Sequence, residues 1–109
     1  VATLPGEPRT IMAGISCGTP SPVAWPLVSR GVDWVVTVTD DQARDAMRAL
    51  ADEGIVSGET GAAALAGLLG VLATKTEGPD LSPDSAVLVL STEGATDPVA
   101  YEEIVGRAP

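Results

Sequence analysis

The sequence has 109 residues, 45% of them hydrophobic and 19% charged, with six basic against fifteen acidic residues and a net charge of −9. That suits one small globular domain, and its negative surface repels phosphate backbones, which argues against nucleic-acid binding. Histidine is absent, which removes the usual zinc sites and Ser-His pairs. The single cysteine excludes an internal disulfide and points to a reducing compartment, the cytoplasm. No apolar run approaches the ~20 residues of a membrane span, and no basic-then-apolar leader opens the chain. With no Phe and only 3% aromatics, the core must be built from Val, Ile, Leu and Ala.

Residues 1–19 are rich in Gly, Pro and Thr and read as a connecting segment. Ser21-Pro22 predicts a helix start, with Ser as N-cap. Pro26, a turn further on, should limit or kink that helix, and Gly31 can end it. The β-branched run WVVTVT at 34–39 predicts a buried strand. Asp40 is then the expected N-cap of a helix. Its apolar stripe is Ala43, Ala46, Met47, Leu50 and Ala51, and it ends at Gly54. A very short strand at 55–57 follows. Next comes an Ala/Leu/Gly-rich helix to about Thr74, apolar nearly all round and so expected to be buried. Its Gly67 and Gly70 cost helix propensity but permit a neighbour to approach closely. Residues 75–85 form a polar surface loop, the most flexible segment. AVLVL at 86–90 predicts a third buried strand, STEG at 91–94 a turn, and Asp97-Pro98 a last short helix carrying Val99, Tyr101, Ile104 and Val105.

Strands alternating with helices predict an α/β fold: three layers around a short, mostly parallel sheet with right-handed crossovers. All 109 residues then belong to one partial domain. Its apolar strands and apolar helix are too much hydrophobic surface for a free-standing unit this small. The chain also opens on Val, in a loop. Both features suggest a piece of a larger protein, or a chain that needs a partner. An unpaired sheet edge and a bare helix face would favour a homodimer or other self-association.

In open parallel sheets, ligands sit just beyond the carboxyl ends of the strands. Residues 39–41, 57–61 and 91–94 meet that description, and the last two are polar and glycine-bearing. Each also has a plain reading: Asp40 as a helix cap, Glu59 as a helix-start carboxylate, Ser91 as a turn residue. SGETG at 57–61 matches neither a P-loop nor GxGxxG. Cys17 has no histidine to activate it as a nucleophile. The paired acids Asp40-Asp41 and Glu102-Glu103 read as solvated helix faces. Lys75, the only lysine, is badly placed for a Schiff base.

TIMAGISCGTP at 10–20, IVSGETGAA at 55–63 and LSTEGATDP at 90–98 resemble the carboxyl-terminal part of the diaminopropionate ammonia-lyase family. That family is a branch of the pyridoxal-phosphate fold type II enzymes, with threonine dehydratase and the tryptophan synthase β chain. The resemblance spans about residues 8–107. It implies a cofactor-binding role for five positions. Ser91 would face the pyridine nitrogen, with Thr92 beside it. Glu59 would stand next to the ring, Gly58 would let backbone come close, and Gly14 would lie along the cofactor. Ala13 stands where threonine dehydratases carry Asp, a departure from their substrate handling. Thr60 replaces a more usual Ser and keeps the hydroxyl.

The same resemblance implies pyridoxal phosphate as cofactor of the intact protein and a small amino acid as substrate. A neutral hydroxyl at the ring nitrogen does not enforce a pyridinium, so the electron sink is mild. That favours α,β-elimination to pyruvate and ammonia over transamination. The Schiff-base lysine and the glycine-rich phosphate loop lie upstream in the family, so the 109 residues alone should be inactive and hold no catalytic residue. The alternative is a non-catalytic α/β binding or interaction module derived from such an enzyme.

Overall fold

The computed structural model describes residues 2, 3, 5, 6, 8–74 and 78–109. Lys75 and the first part of the polar loop expected at 75–85 lie outside them, as do three positions of the connecting segment. A short 3-10 turn, Ala13–Ile15, precedes four helices: α1 (Trp25–Gly31), α2 (Asp40–Asp52), α3 (Glu59–Thr74) and α4 (Pro98–Val105).

The described residues contain no strand, which overturns the expected three-layer α/β fold with its parallel sheet. The runs 34–39, 55–57 and 86–90 follow the predicted order between helices. However, none of the backbone hydrogen bonds among the described residues joins one run to another. A strand is defined by the neighbour that takes its N–H and C=O groups, and β-branched composition does not supply one. The expected burial is missing too: Val35 is 84% exposed and Leu88 85%. Accessible surface totals 7816 Å², against about 5600 Å² for a compact protein of this mass. The radius of gyration is 15.0 Å, where a compact chain of this length has about 13 Å.

The packed part is helical. Thr39, not Asp40, is the N-cap of α2. Its side chain accepts from Gln42 N, and the Gln42 side chain accepts from Thr39 N, a reciprocal capping box. Asp40 instead fastens the incoming segment to the helix start, its Oδ1 accepting from Thr10 Oγ1 at 2.5 Å and from Ile11 N at 3.3 Å. The stripe buries Ala43, Ala46, Met47 and Ala51. Pro26 neither limits nor kinks α1. It sits in the first turn, where a missing N–H has no helical acceptor to lose. Ser21 caps the turn before it, accepting from Ala24 N. Helix α4 starts on Asp97, whose Oδ1 accepts from Val99 N and Ala100 N, and ends at Gly106 with φ of +82°.

Helix α3 packs against α2 on one face only. Gly61, Ala62 and Ala66 are buried, while Leu69 and Leu72 are 44% and 53% exposed. The expectation of burial all round therefore fails at these two positions. The core joins Ala46, Met47 and Ala51 of α2 to Ala62 and Ala66 of α3 and Tyr101 of α4. Arg48 Nε donates to Ile104 O at 2.9 Å, tying α2 to the end of α4.

Gly67 and Gly70 do not mark close approaches. A Cβ on Gly70 would stand 3.6 Å from Gln42 Nε2, and one on Gly67 3.8 Å from Val38 Cγ1, both ordinary contacts. Gly70→Ala should therefore raise stability by about 0.5–1 kcal/mol through helix propensity alone. A urea midpoint at or below that of the parent chain would show that the position is tighter than it looks.

Candidate functional site

The first turn of α3 is where the separate parts of the chain converge. Residues 57–61 lead into it, residues 91–94 lie across it, and the 3-10 turn docks beside it. Ser57 is fully buried, and its Oγ lies 2.8 Å from Ser91 Oγ. Gly58 N donates to Glu93 O at 3.2 Å, and Thr60 N donates to Glu93 Oε1 at 2.9 Å. Glu93 thus satisfies an N–H that the helix itself leaves without an acceptor, and places negative charge at the positive end of the helix dipole. Gly14 N donates to Thr60 Oγ1 at 3.0 Å.

Two glycines make this convergence possible. A Cβ on Gly61 would lie 2.5 Å from Glu93 O, 2.6 Å from Ser57 Oγ and 2.9 Å from Ser91 Oγ. One on Gly58 would strike Gly94 O and lie 2.9 Å from Glu93 Oε1. These clearances are below what carbon tolerates beside oxygen, so the two turns interlock only around bare backbone.

The expected site residues divide into two groups. Ser91, Gly58 and Gly14 come together around the start of α3. Ser91 is exposed on its open side, and the long 3.4 Å contact to Glu93 O holds its hydroxyl only weakly. Thr92 is exposed and its side chain makes no hydrogen bond among the described residues. Glu59, in the same turn, lines a cleft with Arg44, Arg48 and Glu103 between α2 and α4, and takes no part in the bonds joining the turns. Ser57 and Glu93 lie within the two polar segments marked by the sequence, 57–61 and 91–94, but neither was singled out. The signal for Ser57 was a serine directly before a glycine at the foot of a helix. For Glu93 it was a carboxylate within a turn that had to dock somewhere. Among the described residues, no helix is long and apolar enough to cross a membrane, and no cluster of three or more His, Cys, Asp or Glu could hold a metal ion.

The chemistry of the donor set suits the nitrogen edge of a heteroaromatic ring. Two neutral hydroxyls stand in contact, one buried and one open to solvent, and the nearby carboxylate of Glu93 is already engaged by Thr60 N. Arg44 and Arg48 are paired on the surface of α2 with Asp41 and Asp45, both at 2.7 Å.

The family described as pyridoxal-phosphate dependent enzyme matches residues 2–93, and the chain belongs to that family. It is 36% identical to the diaminopropionate ammonia-lyase of Escherichia coli K12 over 119 aligned positions, which cover 96% of this chain and 29% of that enzyme. The diaminopropionate ammonia-lyase of Salmonella typhimurium LT2 is also 36% identical, over 92% of this chain and 28% of its own length. The chain therefore spans less than a third of the curated relatives it matches. No solved structure matches it.

Proposed function

We propose that this chain is the carboxyl-terminal portion of a pyridoxal-phosphate-dependent ammonia-lyase that converts an amino acid such as 2,3-diaminopropionate to pyruvate and ammonia by α,β-elimination. The observation that carries this reading is the identity of 36% across 96% of the chain to enzymes of that name. The neutral hydroxyl of Ser91, presented at the junction of two interlocked turns, supports it. Bound pyridoxal phosphate supplies the electron sink for loss of the α-proton and the β-substituent. Ser91 would hold the ring nitrogen through a neutral hydroxyl, which would leave the sink mild and favour loss of a β-amine over transamination. Gly14 and Gly58, at the same junction, would border the ring, whereas Glu59 lines the cleft between α2 and α4 and, like Thr92, is assigned to the ring by the resemblance alone. We place the enzyme in the cytoplasm and expect self-association through its exposed apolar runs.

The 109 residues alone are inactive on this reading, because the reactive lysine and the phosphate loop lie elsewhere in the intact enzyme. Intact protein loaded with cofactor should release pyruvate from 2,3-diaminopropionate, followed through NADH oxidation by added lactate dehydrogenase, and the isolated chain should release none. Loaded intact protein that binds cofactor but forms no pyruvate overturns the proposed reaction. Pyruvate release by the isolated chain overturns its role as a dependent portion.

A further inference from the structure

Ser57 is the one buried polar side chain among the described residues, with no exposed surface. Among the described residues its hydroxyl has a single hydrogen-bond partner, Ser91 Oγ, and either oxygen can act as donor by geometry. The choice follows from what each alternative leaves behind. If Ser91 donates, the Ser57 proton is sealed in the interior with no acceptor, a costly outcome. If Ser57 donates, its proton is satisfied, and Ser91 accepts through one lone pair and keeps its own proton. The other contact of Ser91, to Glu93 O, is 3.4 Å long, well beyond the 2.5–3.0 Å of a good O–H···O bond. The Ser91 proton is therefore available on the open side of the site.

We infer that Ser57 is a positioning residue: by donating to Ser91 Oγ it fixes Ser91 as a hydrogen-bond donor toward the ring nitrogen of the cofactor. This rests on the placement of Ser91 in the proposed function. A hydroxyl held as donor fits an unprotonated pyridine nitrogen and disfavours the protonated one, which would need an acceptor. Ser57 thus sets the charge state of the ring from inside the protein without touching it. Gly61 is part of the device, since a Cβ there would lie between the two hydroxyls and the helix.

The test uses the intact enzyme, freed of cofactor and titrated with pyridoxal phosphate, with the ring nitrogen followed by nuclear magnetic resonance of 15N-labelled cofactor. Ser57→Ala should weaken cofactor binding about fivefold to tenfold, the share of one hydrogen bond. It should also move the 15N resonance toward that of an unbonded pyridine. Ser57→Thr keeps the hydroxyl and should return the resonance toward that of the parent, while its added methyl at a fully buried position costs stability. Ser91→Ala should produce the same shift, and adding Ser57→Ala to it should change little more, as expected of coupled groups. Should Ser57→Ala fail to fold, Ser57→Cys, close in volume and a weaker donor, should give an intermediate shift. A parent-like resonance and affinity in the Ser57 variants, with both altered in Ser91→Ala, overturns the role of Ser57 and spares that of Ser91. If Ser91→Ala also leaves both unchanged, the placement of Ser91 falls, and the inference with it.

Discussion

Gly61→Ala is expected to destabilise the protein by about 3 kcal/mol and to weaken cofactor binding by the intact enzyme. The reason is local. The new methyl would fall 2.5 Å from Glu93 O and 2.6 Å from Ser57 Oγ, and the first of these is backbone with no rotamer to change. Relief requires residues 91–94 to lift from α3. That would break the bonds from Gly58 N to Glu93 O and from Thr60 N to Glu93 Oε1, and would part Ser91 from Ser57. The same substitution further along the same helix, at Gly70, should act with the opposite sign. Comparing the urea midpoints of the two variants separates close packing from helix propensity. If Gly61→Ala matched Gly70→Ala in stability, the interlocked turns would not be the arrangement in solution.

Helices were legible in this sequence and the sheet was not, for a physical reason. A helix satisfies its hydrogen bonds within its own segment, so local signals suffice to place it. Asp97-Pro98 marked the start of α4 correctly, and the stripe of α2 was buried at Ala43, Ala46, Met47 and Ala51 as its spacing required. Even the error over the cap was an error of one residue, because Thr39 and Asp40 both have oxygen to offer and only the side chain of Gln42 decides between them. The runs 34–39 and 86–90 carry the composition of buried strands, but pairing depends on residues distant in sequence, and no ladder forms among the described residues. The site followed the same rule. The segments around Ser91 and Gly58 could be picked out as polar turns, Gly14 came from the resemblance alone, and all three meet at the start of α3. The agents that join them, Ser57 and Glu93, act across intervals of 34 and 33 residues, and at that distance local pattern marks the residues but not their partners.

Met47→Ala should cost about 3–4 kcal/mol, in the middle of the range for buried methionine, and should bring the helical unit close to unfolding. Met47 is fully buried and is the largest side chain to be so among the described residues. Its cluster includes Ala46, Ala51, Ala62 and Ala66, side chains of one carbon that cannot swing inward to fill a void. The cavity should therefore persist, and the loss should include both the missing transfer energy and the missing contacts. Met47→Leu keeps volume and should cost less than about 1.5 kcal/mol. Leu72→Ala, at a position 53% exposed, should stay within about 0.5 kcal/mol. Thermal unfolding of the three variants ranks them directly. Equal losses for Met47→Ala and Leu72→Ala would mean that α2 and α3 are not held by this core. The expected ranking ties the site to the core, since α3 sets Ala62 and Ala66 in the cluster with Met47 directly after the Gly61 that seats Ser57 and Ser91.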